Sequence, residues 1–416
     1  MGTFTGADLG SRVWYKRAGM ARKLADRLKA VAPSVTLQMN ARAADLRARG
    51  VDVYNLGVGE PDFEPPSFVL EAAKRAIDEG KSSKYTAVSG IAPLKKAIAA
   101  QVERTRGYAP SPEEIVVTVG AKHALMNLAL VLFEAGDEVI IPEPYWVSYP
   151  EQVRMMGATP VFVPSDESTG FRIEPAALAK ALTPRTKAVV FCTPSNPSGS
   201  AYSASEMKAL LDVLAPHDCW IIVDEIYSEL VYDGFEHVSA LKLAPELRER
   251  LILVDGVSKS YAMTGWRIGW LVATKEVAKA CDMVQGQSTT NPTAVAQYAA
   301  LAALTGPQDA LAQIRASFQA RRDAMVDGLN AIPGIRCRKP EGAFYAFADV
   351  RGLLGTEKKG RKLTTDADVA MLLLEEAHVV GVPGGAFGAP GHLRLSYAVS
   401  IERIQAALAA IRAVLS

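Results

Sequence analysis

Cysteine is scarce in this sequence. There are four in 416 residues (Cys192, Cys219, Cys281 and Cys337), far apart and without a Cys-x-x-Cys pair. That spacing speaks against a disulfide framework and against a cysteine-built metal site, and it fits a reducing, cytoplasmic compartment. The five histidines do not cluster either, so no metal site is expected. An excess of charge of one sign is also missing. Lys and Arg number 46 and Asp and Glu 45, for a formal net charge of +1. No bulk electrostatic case exists for a nucleic-acid or acidic-membrane partner, although a local positive pocket remains open. No apolar run approaches the roughly 18 to 20 residues that span a bilayer. The first 30 residues are polar and basic (Arg12, Lys16, Arg17, Arg22, Lys23) and lack an apolar signal core, so a secretory signal is not expected. The segment before Met20 reads as a disordered tail or a misassigned start. Repeats and low-complexity segments are absent.

What is present is an ordinary globular composition, 49% apolar and 22% charged. The length exceeds one hydrophobic core and fits a large domain plus a smaller one. From about Glu113, short apolar runs alternate with helical patterns. Ile115 to Val119 reads as a buried strand, followed by Gly120 and a helix through Phe133. Further strand-like runs are Glu138 to Ile141, Pro160 to Val163, Ala188 to Cys192, Trp220 to Asp224, Leu251 to Val254 and Ile268 to Ala273. Capping-box spacing at Ser203 to Glu206 and at Ser111 to Glu114 marks helix starts between them. Such alternation predicts an α/β fold with a mostly parallel sheet covered on both faces. Long helical patterns follow at 292–304 and 308–329.

After Pro333-Gly334 the pattern changes to short strands (Ala343 to Phe347, Val379 to Val382, Leu393 to Tyr397) and helices (366–377, 401–415), which suggests a smaller α+β domain. The expected division is a tail over 1–31, an N-terminal arm with part of the small domain over 32–70, a large domain over 71–330 and a small domain over 331–416. Open parallel sheets bind ligands beyond the carboxyl ends of their strands. Gly120-Ala121-Lys122, Asn196, Asp224 to Tyr227 and Ser258-Lys259 fall there.

The run from Val257 to Gly269, Val-Ser-Lys-Ser-Tyr-Ala-Met-Thr-Gly-Trp-Arg-Ile-Gly, closely resembles the cofactor-lysine motif of class I aminotransferases. Asn55-Leu56-Gly57-Val58-Gly59-Glu60-Pro61-Asp62-Phe63, Lys84-Tyr85-Thr86 with Gly90, Pro144 to Pro150, Pro194 to Gly199, Asp224 to Tyr227 and Arg394 to Tyr397 resemble the family's other motifs, in its order and spacing. Each alone is weak; the set is very specific. It is most like the bacterial aspartate aminotransferase branch that also contains prephenate aminotransferases. The resemblance implies pyridoxal 5'-phosphate as cofactor, fold type I of pyridoxal-phosphate enzymes, and a homodimer with shared active sites.

A lone lysine in such a stretch is usually on the surface. The resemblance instead makes Lys259 the catalytic residue. Its amine can condense with an aldehyde, burial beside cations would lower its pKa, and the freed amine can shuttle a proton. Arg267 is assigned to the cofactor phosphate, a use that suits a planar cationic fork. Gly120-Ala121-Lys122 opens a helix after a strand, where free N–H groups and the helix dipole favour an anion. Asp224, alone a common helix cap, is implied to pair with the pyridine nitrogen and keep it protonated, making the ring an electron sink. Tyr227 and Asn196 are implied to hydrogen-bond the ring's phenolic oxygen, and Trp146 to stack on the ring. Tyr85 is implied to reach the phosphate of the neighbouring subunit. On the substrate side, Arg394 is assigned to the α-carboxylate, with Gly59, Trp146 and Asn196 nearby. Lys122 is assigned to a distal carboxylate, with Ser34 and Thr36 as candidate helpers.

One departure stands out. Many relatives carry a serine three residues before the lysine, and this sequence has Gly256, leaving Ser258 as a substitute hydroxyl. The expected reaction is ping-pong amino transfer between aspartate or glutamate and a 2-oxoacid. The cofactor residues leave open a preference for prephenate, alanine or aromatic substrates, and a lyase or synthase reaction. A cofactor-binding transcription regulator would need a DNA-binding module, and only about 30 residues precede the match.

Overall fold

A computed structural model describes residues 24–33 and 35–416. The segment before Met20 and the candidate Ser34 lie outside the described residues. Seven strands build the main sheet: β1 (Ile115–Val119), β2 (Glu138–Pro142), β3 (Thr159–Val163), β4 (Thr186–Cys192), β5 (Trp220–Asp224), β6 (Leu251–Gly256) and β7 (Ile268–Val272). Their order is β1-β7-β6-β5-β4-β2-β3. β7 alone runs opposite to the other six strands, so the sheet is mostly parallel, as the alternation predicts.

Both faces of this sheet are apolar, and successive residues serve opposite faces. Val117, Val189, Ile221 and Val223 pack into one core, while Val116, Val190, Ile222 and Val254 pack into another. Burying each such side chain stabilises by about 1.5–3 kcal/mol. On the second face, Ala121–Leu132 lies against Lys275–Ser288; on the first, Ala294–Thr305 lies against Ser67–Asp78 and Ala92–Arg106.

The C-terminal part forms an antiparallel sheet in the order Val382–Pro383, His392–Ser396, Tyr345–Asp349, Arg336–Cys337. The N-terminal arm is tied to it. Tyr54–Asn55 pairs in parallel with Val379–Val380, and Ser396 N donates to Leu56 O at 2.6 Å. Met39, Ala43 and Leu56 share a core with Phe344, Leu395 and Ile404, and Phe318 to Leu329 of the helix Asp309–Asn330 reach into it as well.

Two local expectations are corrected. The capping box at Ser111 is formed, but it closes a three-residue 3-10 turn, Pro112–Glu114, that runs straight into β1 rather than starting a helix. The run Val379 to Val382 is two short strands parted at Gly381, each pairing with a different partner. Within the predicted tail, Asp26–Ala30 is a 3-10 turn, and Ala32 N beyond it donates to Glu151 Oε2 at 2.7 Å.

Candidate active site

A cavity of about 500 Å³ opens at the carboxyl ends of the parallel strands, between the main sheet and the small sheet. β6 ends at Gly256, and the turn after it delivers Ser258 and Lys259 to the cavity. Gly256 explains the missing serine physically. It pairs with Gly269 across the β6–β7 ladder, and a Cβ there would come within 2.9 Å of Gly269 Cα and of Ile268 O. Two backbones approach where a side chain would have to fit. Ser258 lines the cavity instead and is buried.

Lys259 is half-buried in the cavity, and its Nζ donates to Gly59 O at 2.6 Å. Burial pulls its pKa down to about 8; Glu60 opposes this, while Arg267 and Arg394 add to it. The amine is therefore half-neutral at about pH 8, within reach of the state a nucleophile needs.

Asp224 ends β5, with Tyr149 Oη donating to Oδ2 at 2.8 Å and Ile226 N donating to Oδ1 at 3.2 Å. Burial raises its pKa to about 6 despite these donors and Lys259. A buried carboxylate held so far above its ordinary range is stabilised by any cation that reaches it. Tyr227 sits on the turn after Asp224, and its hydroxyl meets that of Tyr345 at 2.8 Å.

Arg394, on the small sheet, is 3% exposed. Its Nη1 donates to Asn196 Oδ1 at 2.9 Å and its Nη2 to Gly57 O at 2.7 Å, while buried Nε has no hydrogen-bond partner. The guanidinium lies over the rings of Tyr345 and Phe387 at 4.7 and 4.9 Å. No carboxylate among the described residues pairs with it. A desolvated cation with a spare donor facing a cavity is a receptor for an anion.

A second anion site lies at the other end. The helix Ala121–Leu132 begins at the cavity wall after Gly120, whose φ is 78°. That φ favours glycine, and the Arg267 guanidinium closes on this helix start, its Nη2 2.8 Å from where a Cβ at Gly120 would stand. Arg267 itself has φ 57°, and its Nη1 is tied to Thr264 O at 2.9 Å. Unpaired helix-start N–H groups beside a guanidinium suit a phosphate. The Lys122 ammonium lies 4.8 Å from the Trp146 ring centre, and burial, then Arg267, lowers its pKa.

The cavity thus gathers Gly59, Ala121, Lys122, Trp146, Asn196, Asp224, Tyr227, Ser258, Lys259, Arg267 and Arg394, with Gly120 immediately behind; Thr36 also lines it. Tyr85 is the exception: its side chain is outside this cavity and 90% exposed. Sequence reasoning gave no role to several lining residues, Tyr149, Glu60, Cys192 and Tyr345 among them. Tyr149, Glu60 and Cys192 stand in or beside motifs without a role of their own, and Cys192 is the register partner of Asp224 on the adjacent strand. Tyr345 carries no local signal beyond strand alternation.

The Aminotransferase class I and II family profile matches residues 51–411. The chain belongs to that family. It is therefore an aminotransferase, with an α/β fold shared by solved relatives. An aspartate aminotransferase of Geobacillus stearothermophilus is 48% identical over 386 residues, 93% of this chain and 97% of the relative. An aspartate/prephenate aminotransferase of Cereibacter sphaeroides is 47% identical over 94% of this chain and 98% of its own length. Among solved structures, the Rhizobium meliloti aspartate aminotransferase superposes with a TM-score of 0.92 at 46% identity, covering 95% of this chain and 99% of that one.

Proposed function

We propose that this aminotransferase binds pyridoxal 5'-phosphate on Lys259 and exchanges amino groups between aspartate or glutamate and their 2-oxoacids. The half-buried Lys259 amine, set between an anion receptor at Arg267 and an unpaired cation at Arg394, carries the reading. When bound, the cofactor supplies an aldehyde for the amine and a ring that accepts electrons from the substrate α-carbon.

The chain's own residues do the rest. The helix start at Gly120-Ala121, Arg267 and Ser258 would bind the phosphate. Asp224, steadied by Tyr149, would hold a proton on the ring nitrogen. Tyr227 and Asn196 would orient the phenolic oxygen, and Trp146 would pack against the ring. Arg394 grips the α-carboxylate at the end of the cavity where Gly59 lies. Freed when the substrate is bound, Lys259 Nζ would take the proton from the substrate α-carbon and deliver it to the aldehyde-derived carbon of the cofactor, within a pKa range suited to both steps.

Lys122 supports the dicarboxylate preference. Its ammonium is partly desolvated at the cavity wall, with Thr36 also present. A Thermus thermophilus aspartate aminotransferase, 43% identical with a TM-score of 0.88, was solved with maleate, a dicarboxylate. An exposed Tyr85 ring supports a homodimer in which this residue serves the neighbouring subunit.

The test is chemical. The purified protein is expected to be yellow, and borohydride reduction followed by peptide mapping should place the cofactor on Lys259. A label on another lysine, or no bound cofactor after reconstitution, overturns the reading.

A further inference from the structure

Behind the cavity wall lies a second, fully buried charged cluster. Arg106, the last residue of the helix Ala92–Arg106, is 3% exposed. Its Nε is 2.6 Å from Glu225 Oε2, and its Nη2 is 3.0 Å from Asp255 Oδ2 and 2.5 Å from Ser228 Oγ. Glu229 lies at the edge, 4.0 Å from Nη1. Glu225 is fixed further by Ser239 Oγ at 2.7 Å and by His237 Nε2 at 3.1 Å from its carboxylate oxygens. Asp255 also accepts from Gly256 N at 2.7 Å.

The placement gives the cluster its meaning. Glu225 directly follows Asp224 at the end of β5. Asp255 is the penultimate residue of β6, four residues before Lys259. Ser228 directly follows Tyr227. One guanidinium therefore holds the two adjacent strand ends from which Asp224, Tyr227 and Lys259 reach the cavity. Its planar fork makes these contacts in fixed directions, which a single ammonium cannot reproduce.

We propose that Arg106 is a positioning residue of the reaction: by bridging Glu225, Asp255 and Ser228, it sets the spacing between Asp224 and Lys259. Burial alone does not require this arrangement. Apolar side chains of similar volume would fill the space at no greater cost, because an isolated buried ion network is at best a neutral contributor to stability. What it adds is directional fixation of two strand ends, and small displacements at a reacting centre are expensive in rate.

The inference rests on the cofactor reading, so cofactor loading is measured first. Wild-type protein that binds no cofactor defeats that reading and leaves the Arg106 question to be read by other means: amine labelling of Lys259 in the cofactor-free protein should then differ between wild type and variant. The decisive variant is Arg106→Lys, which keeps the charge and loses the fork. With cofactor bound, it should lose roughly tenfold in kcat while KM for aspartate stays within about threefold. The pH midpoint of the bound cofactor's absorption should rise, because a looser Asp224 leaves less positive charge on the ring. Arg106→Gln should behave in the same way. Ser228→Ala, which removes one contact and no charge, should show a smaller change in the same direction and serves if Arg106→Lys does not fold. Wild-type kcat and midpoint in Arg106→Lys overturn the proposal. So does a parallel loss in kcat and KM with an unmoved midpoint, and so does a wild-type Ser228→Ala where Arg106→Lys is unfolded.

Discussion

Replacing Arg394 by leucine separates the binding role of this residue from its structural one. The guanidinium is buried, keeps two hydrogen bonds to Asn196 Oδ1 and Gly57 O, and has no carboxylate partner among the described residues. Its contact with the substrate α-carboxylate would be bidentate and charge-assisted. Two such bonds are worth on the order of 3–6 kcal/mol together. At about 1.4 kcal/mol per factor of ten, Arg394→Leu should lower kcat/KM for aspartate by roughly 10²- to 10⁴-fold. The folded protein should barely notice. Leucine relieves an unpaired buried cation, a gain of about 1–4 kcal/mol, and leaves two oxygens without a donor, a loss of about 1–3 kcal/mol each. The two effects nearly cancel, so Tm without ligand should stay within a few degrees of wild type. The stabilisation that wild type gains from added maleate should disappear. Steady-state kinetics with 2-oxoglutarate and thermal melts with and without maleate measure both. Wild type should also discriminate against aspartate 1-amide, and the variant should not. A kcat/KM within about threefold of wild type would refute the carboxylate role, and a collapse of ligand-free Tm would make Arg394 a structural residue.

Lys122→Ala should reduce kcat/KM for aspartate by roughly ten- to hundredfold, and far less for alanine or phenylalanine; an equal loss on all substrates would assign Lys122 to the cofactor alone. Hybrid dimers of a Tyr85→Phe subunit with a Lys259→Ala subunit should recover one site free of both changes, and activity no better than the Tyr85→Phe homodimer would count against sharing. The cofactor-free protein should show the mark of Lys259 in its pH–stability profile. Its folded pKa of about 8 lies below the unfolded 10.5, so the unfolded state binds more protons between those values and stability rises with pH across them. Lys259→Met should therefore be more stable than wild type below pH 8, with the gap closing as pH rises toward 10.5; a gap that does not change with pH would refute the depressed pKa.

Local patterning was enough for the main sheet, because strands buried on both faces read as apolar runs ended by glycine or polar residues. Ile115 to Val119 and Trp220 to Asp224 are examples. Where patterning failed, tertiary context decided. The capping box at Ser111 satisfies the same donors whether three residues follow or twelve, and the edge of the sheet at Ile115 stops the helix after one turn. The antiparallel β7 is also a topological outcome, since its apolar run does not encode direction.

The site divides along the same line. Motif residues at strand ends and helix starts were legible because the chemistry requires particular side chains next to glycine-bearing turns: Lys259 after Gly256, Asp224 at the end of β5, and Arg267 against Gly120. Residue identity and order along the chain determined the reaction class and the residues that would carry it. Only the tertiary structure decided how Arg394 is held by Asn196 and Gly57, how Tyr345 meets Tyr227, and how Arg106 fastens two strand ends from behind. These contacts join residues more than a hundred positions apart, and nothing local in a sequence specifies which distant backbone or ring a buried side chain will meet. Pairing at that range follows from the packing of two cores against each other, so it appears only once the chain is folded.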